Sequence, residues 1–101
     1  MKNKIKSIHL LIVDDHKLFR KAIGRQIGTF GFKTVLYEAA NGLEALQIIS
    51  NNPVDVILLD IQMPVLSGIE VMKKINVLAS KPLVIVLTQF DEQILITYLL
   101  Q

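Results

Sequence analysis

Three aspartates and a threonine stand immediately after short apolar runs of the chain. Asp14 and Asp15 follow the run 8–13, Asp60 follows 54–59, and Thr88 follows 83–87. If these runs are strands of one parallel sheet, all four residues fall on a single edge of it. That edge lies beyond the carboxyl ends, where open α/β sheets bind their ligands. With the first and third strands adjacent, the carboxylates converge and repel, which calls for basic neighbours, protonation or a hard divalent cation. Carboxylate oxygens with retained water describe a Mg²⁺ site. A cation so held can clamp a transferring phosphoryl group, and an aspartate can act as its nucleophile. The spacing supports a cation site directly and is compatible with a phosphoryl acceptor.

The elements that must position these residues alternate along the chain. After the first run, residues 16–30 read as an amphipathic helix, with Leu18, Phe19, Ala22, Ile23 and Ile27 on one side. Gly28 and Gly31 bracket its exit. Residues 34–38 form a second strand with Lys33 and Glu38 at its ends, a charged pattern suited to a sheet edge. Residues 43–49 are helical, stopped by Asn51, Asn52 and Pro53. Ser67 with Glu70 makes a capping box for a third helix carrying Met72, Ile75 and Leu78. Past the fourth strand, Asp91 and Glu92 favour a helix start, and Ile94, Leu95, Tyr98 and Leu99 would line that helix. The first, third and fourth runs are almost continuous Val, Ile and Leu, as in strands buried on both faces. The fold class is therefore α/β, a doubly wound parallel sheet with helices above and below.

Composition narrows the function classes. The 101 residues make one domain, spanning 1–101. A hydrophobic share of 51% against 20% charged excludes a disordered chain. The apolar runs are too short to cross a bilayer, no leader is recognised, and a cytoplasmic location is expected. Without cysteine there is neither a disulfide framework nor a thiolate metal site. Lys17, Arg20, Lys21 and Arg25 recur at helical spacing and read as a solvated face, so direct nucleic-acid binding is not expected. No Gly-x-Gly-x-x-Gly follows the first strand, which argues against dinucleotide binding.

Val13-Asp14-Asp15-His16, then Asp60-Ile61-Gln62-Met63-Pro64 with Gly68, then Thr88 closing an apolar strand, resemble the receiver domain of two-component response regulators. The likeness runs from about residue 8 to the end. The segment from Asp14 to Arg20 resembles receivers joined to LuxR-type DNA-binding domains, and so implies transcription regulation. The resemblance implies a flavodoxin-like sheet of strand order 2-1-3-4 and a phosphorelay signalling domain instead of an enzyme. Asp60 would accept the phosphoryl group from a sensor histidine kinase. Asp15 and Asp60 would bind Mg²⁺ directly, Asp14 through water, and the backbone carbonyl of Gln62 would complete the set. Thr88 would sense the phosphoryl group, and Pro64 and Gly68 would shape the loop after Asp60.

Plainer roles exist for the same residues. One of Asp14 and Asp15 is expected to cap the first helix. His16 reads as a helix-start residue, and His9 as a satisfied or edge-facing strand histidine. The chain also departs from the family, which continues with a fifth strand, a Lys-Pro pair and a fifth helix. Here Lys81-Pro82 precedes the fourth strand, and Gln89 stands where members carry a small residue. A fifth strand and helix are thus expected to be missing and the domain incomplete at its C-terminus, which implies a homodimer or domain-swapped assembly over the open edge and apolar face, or a fragment of a longer protein. The alternatives are a receiver-like interaction module that does not switch, or an aspartate-nucleophile phosphatase. The phosphatase pattern, Asp-x-Asp-x-Thr after the first strand, is not met.

Overall fold

A computed structural model of the chain describes residues 7–31, 33–60, 68–75, 82–90 and 93–99, with side chains except at 68, 69, 72, 87–90 and 93–99. In chain order the elements are β1 (Ile8–Val13), α1 (Lys17–Gly28), β2 (Thr34–Ala39), α2 (Gly42–Asn51), β3 (Val56–Asp60), α3 (Gly68–Ile75), β4 (Leu83–Phe90) and β5 (Gln93–Leu99). They form one sheet of order β2-β1-β3-β4-β5. Strands β2, β1, β3 and β4 are mutually parallel, in the order 2-1-3-4 that the resemblance implies.

The apolar runs become central strands because both of their faces are covered, though unequally. Leu11, Val13, Ile57, Leu59, Val84 and Val86 face a core closed by Ala45 of α2 and by Val71 and Ile75 of α3. Each aliphatic side chain fully buried there contributes about 1.5–3 kcal/mol. On the other face Leu10 and Ile12 meet Ile27 of α1, with half-buried Ile23, Val56 and Leu58 around them. The contact of α1 is thus an i, i+4 pair, Ile23 and Ile27, narrower than the stripe expected. Leu18 lies outside that stripe and is 84% exposed, and Ala22 is exposed as well.

Local chemistry sets the element ends. Helix α1 closes with the Thr29 and Phe30 backbone N–H groups donating to the carbonyls of Gln26 and Ile27. Gly31 then turns the chain at φ +84°, a conformation that an L side chain resists. Helix α2 opens on Asn41, whose Oδ1 accepts the Glu44 N–H while Glu44 Oε1 accepts the Ala40 N–H, two reciprocal caps. In α3, Glu70 sits in the first turn and Lys73 and Lys74 in the last, as the helix dipole favours. Ser67 and Leu78 lie outside the described residues.

One element departs from expectation. Residues 93–99 are not a helix but β5, antiparallel to β4, with Phe90 opposite Gln93 and Val84 opposite Leu99. Strand β4 accordingly runs past Leu87 to Phe90. Left alone, the outer edge of β4 would offer a row of unpaired backbone groups, and β5 pairs along it, so the edge expected to stay open is closed. Ile94, Ile96, Thr97 and Tyr98 are β-branched or aromatic, and a short connection makes their antiparallel pairing a local step. Tertiary pairing thus overrides the helical spacing. Asp91 and Glu92, read as a helix start, lie outside the described residues. Among the described residues no helix is long and apolar enough to cross a membrane.

Candidate functional site

The sheet order reverses between β1 and β3, since β1 connects outward to β2 while β3 continues to β4 on the other side. The carboxyl ends of these two strands therefore flank the crevice in which such sheets hold ligands. Val13 pairs with Leu59, so Asp14 and Asp60 follow side by side as each strand ends. Asp60 pairs with Leu87, which sets Thr88 one residue further along β4.

This register brings the expected carboxylates together. Asp14, Asp15 and Asp60, joined by His16, each place one ligand-capable atom within 4.8 Å of all the others. Two unit charges at that spacing repel by about 3–4 kcal/mol at an effective dielectric near 20, and by less where water reaches them. Asp14 is the buried member, 4% exposed. Its backbone N–H donates to the Ala39 carbonyl at 3.0 Å. Its Oδ1 accepts the His16 backbone N–H at 2.7 Å. The helix N-cap is His16, with no side-chain capping bond. Neither aspartate of the pair is therefore the cap that was expected. Asp14 instead closes a tight bond across the strand-to-helix turn, which fixes its carboxylate.

Arg20 holds the same turn from the other side. Its Nη1 donates to the Asp14 carbonyl at 2.7 Å and its Nε to Glu38 Oε1 at 2.9 Å. Lys21 Nζ donates to Glu38 Oε2 at 2.7 Å. The Lys21 ammonium holds the Glu38 carboxyl below the usual carboxylate range, and Arg20 adds to this against a partly opposing desolvation. The reading of Arg20 as part of a solvated face is thus corrected. Its side chain is 12% exposed and serves to brace the Asp14 turn against β2. Sequence spacing gave no sign of this, because one partner is a backbone carbonyl.

His16 was not expected to take part. Its Nδ1 lies 3.1 Å from Asp14 Oδ1 and 2.9 Å from Asp15 Oδ1. The signal available in the sequence was its position directly after two aspartates. Gln62, Met63 and Pro64 lie outside the described residues, as does the side chain of Thr88. Gly68 opens α3. His9 is satisfied: its Nδ1 is 3.1 Å from the Tyr37 hydroxyl, and the two rings stack at 6.0 Å.

The donor set of the cluster, three carboxylates offering hard oxygens, fits a Mg²⁺-type ion. Asp60, which ends β3, brings a carboxylate to that cluster, and a carboxylate has the chemistry of a nucleophile.

Comparison with known proteins points to one family. The profile of the response regulator receiver domain matches residues 10–101. The chain is similar to sporulation initiation phosphotransferase F of Bacillus subtilis, 36% identical over 83 residues, covering 82% of this chain and 65% of that protein. Among solved structures it is similar to a two component transcriptional regulator AraC from Clostridium phytofermentans. There the TM-score is 0.72 at 31% identity, covering 86% of this chain and 71% of that one. It is also similar to a chain of the Saccharomyces cerevisiae complex between the histidine phosphotransfer protein Ypd1 and the receiver domain of Ssk1. That match has a TM-score of 0.62 at 29% identity, covering 83% and 63%. The chain spans less than two-thirds of the length of the curated relatives it matches.

Proposed function

Because the chain belongs to the response regulator receiver domain family, we propose that it is a phosphorelay signalling domain over residues 1–101 that accepts a phosphoryl group on Asp60 from a sensor histidine kinase. The observation that carries this reading is the convergence of Asp14, Asp15 and Asp60 at the crevice between β1 and β3.

An Asp60 carboxylate oxygen attacks the phosphorus of a phosphohistidine, the new P–O bond forms as the P–N bond breaks, and the leaving imidazole nitrogen takes a proton from solvent. Asp15 and Asp60, with the Gln62 carbonyl, would hold Mg²⁺, and Asp14 would reach it through water. Such an ion would supply positive charge to the phosphoryl oxygens. Asp14 is kept in place by its bond to the His16 N–H and by the Arg20 brace on its carbonyl. Thr88 receives the phosphoryl oxygens as a hydrogen-bond donor. The product adds roughly two negative charges and three acceptor oxygens at the sheet edge, enough to bias a two-state element. The reading is of a signal carrier in the cytoplasm, without sustained turnover of its own, serving transcription regulation as its relatives' names suggest. It assigns this chain no direct contact with nucleic acid or membrane.

A histidine phosphotransfer protein is named with a receiver domain in one similar structure, which supports a phosphohistidine donor here. Leu36 and Leu83, exposed on the sheet face that α1 covers, support a homodimer or domain-swapped partner. Sedimentation at rising concentration tests that part, and a monomer throughout would remove it. Gln89 beside Thr88 favours one second reading, an interaction module that keeps the fold and the cation without switching.

The test is intact mass after incubation with a small phosphodonor, with Mg²⁺ and with chelator. One added phosphoryl group only with Mg²⁺ supports acceptor chemistry. Mg²⁺ binding by a folded chain that gains no mass would select the non-switching module.

A further inference from the structure

The cluster contains one donor that the carboxylate chemistry does not need. We infer that His16 is a fourth ligand of this pocket for divalent cations with affinity for imidazole. Ions such as Ni²⁺ are held by Nδ1 together with the carboxylates, whereas Mg²⁺ is held by oxygen alone. The inference rests on reading the cluster as a cation site and concerns which cation it selects.

Three observations carry it. First, His16 occupies the N-cap of α1, yet its side chain makes no capping bond. The ring turns instead to the carboxylates, 3.1 Å from Asp14 Oδ1 and 2.9 Å from Asp15 Oδ1. Second, these separations, a hydrogen bond to Asp14 and an ion pair with Asp15, also equal the edges of a coordination octahedron. Metal–ligand bonds of about 2.1 Å place neighbouring ligands roughly 3.0 Å apart. Third, the root of the side chain is fixed, because the His16 backbone N–H donates to Asp14 Oδ1 at 2.7 Å. The ring itself is 73% exposed and open to an arriving ion.

Chemistry then decides which ions gain. Imidazole suits the later transition cations, whereas Mg²⁺ favours oxygen and water. Ni²⁺ and Mg²⁺ both accept octahedral surroundings, so a comparison between them isolates the donor type. The chain's other histidine, His9, stands near the opposite end of β1 against Tyr37, and does not belong to the cluster.

The experiment is calorimetric titration of Ni²⁺ and of Mg²⁺ into the full chain and its His16→Asn variant, both in a His9→Gln background. Asparagine is a good N-cap, so the helix start is preserved, and circular dichroism checks the fold. The expected result is a loss of about tenfold or more in Ni²⁺ affinity, with Mg²⁺ affinity held within about threefold. Nitrogen splitting in the electron paramagnetic resonance of bound Cu²⁺ is expected in the parent and absent from His16→Asn. Unchanged Ni²⁺ affinity in a variant that binds Mg²⁺ would overturn the inference and leave the cation site standing. Equal loss of both ions would overturn it too, because His16 would then only position the carboxylates. A parent that binds neither ion would remove the cation site itself, and the inference with it.

Discussion

The strands β1 and β3 carry aspartate and histidine at both of their ends, and the two ends use them differently. At the amino end, Asp55 Oδ2 accepts the His9 backbone N–H at 2.8 Å. The Asp55 N–H donates to the His9 carbonyl, and its carbonyl accepts the Leu83 N–H. His9 rests on Tyr37. One residue there ties three strands together, its carboxylate and backbone N–H holding β1 and its backbone carbonyl holding β4. At the carboxyl end, Asp14, Asp15 and Asp60 crowd within reach of one ion together with His16. The residue types are the same. The difference is the surplus of like charge, which stability alone does not require and which a cation and an incoming phosphoryl group can use.

The two ends share one core, and the largest effect on stability is expected there. Leu59→Ala removes a fully buried side chain just before Asp60 and should cost about 2–5 kcal/mol by denaturant unfolding, with one cooperative transition. Separate transitions for the two ends would break the idea of a common frame.

Exchanging a single charge at each end sharpens the contrast. Asp15→Asn should weaken Mg²⁺ binding by about tenfold or more without lowering the metal-free melting temperature, since it removes one of the repelling charges. Asp55→Asn should leave Mg²⁺ binding alone and cost about 1 kcal/mol, roughly 4–8 °C in Tm for a domain of this size. Calorimetry and thermal melts on the same samples check both, and a variant that moved both readouts together would erase the distinction.

A smaller effect belongs to Glu38, the carboxylate near the site that is already paired. Its folded-state pKa is lowered, first by the bond from Lys21. Its contribution is therefore full above the ordinary glutamate pKa, about 4.3, and is lost as the pH falls through and below that value. Glu38→Gln should cost about 0.2–1 kcal/mol at pH 7 and progressively less toward pH 3. Urea midpoints at the two pH values check the sign.

These contrasts also show what was legible in the sequence. β1, β3 and β4 could be read because burial on both faces leaves nearly unbroken Val, Ile and Leu. The carboxylate cluster followed from them, since parallel strands in register put Asp14 beside Asp60. The segment 93–99 could not be read the same way. Ile94, Leu95 and Tyr98 fit a helical stripe, and only pairing along the edge of β4, a tertiary contact, makes them a strand. Leu18 fitted the stripe of α1 equally well but lies beyond the line where that helix meets the sheet. Arg20 does not read as a brace from its spacing, because one of its partners is a carbonyl, which no side-chain pattern announces. The Asn41 and Glu44 caps are legible as an Asn-x-x-Glu spacing.

The most direct test of the difference between the two ends is a phosphoryl-transfer measurement on Asp60→Asn and Asp55→Asn side by side. Each is incubated with a small phosphodonor and Mg²⁺ and read by intact mass beside the parent chain. The account predicts one added phosphoryl group on the parent and on Asp55→Asn, and none on Asp60→Asn. A phosphoryl group retained by folded Asp60→Asn would contradict it, because the acceptor would then be a residue other than Asp60.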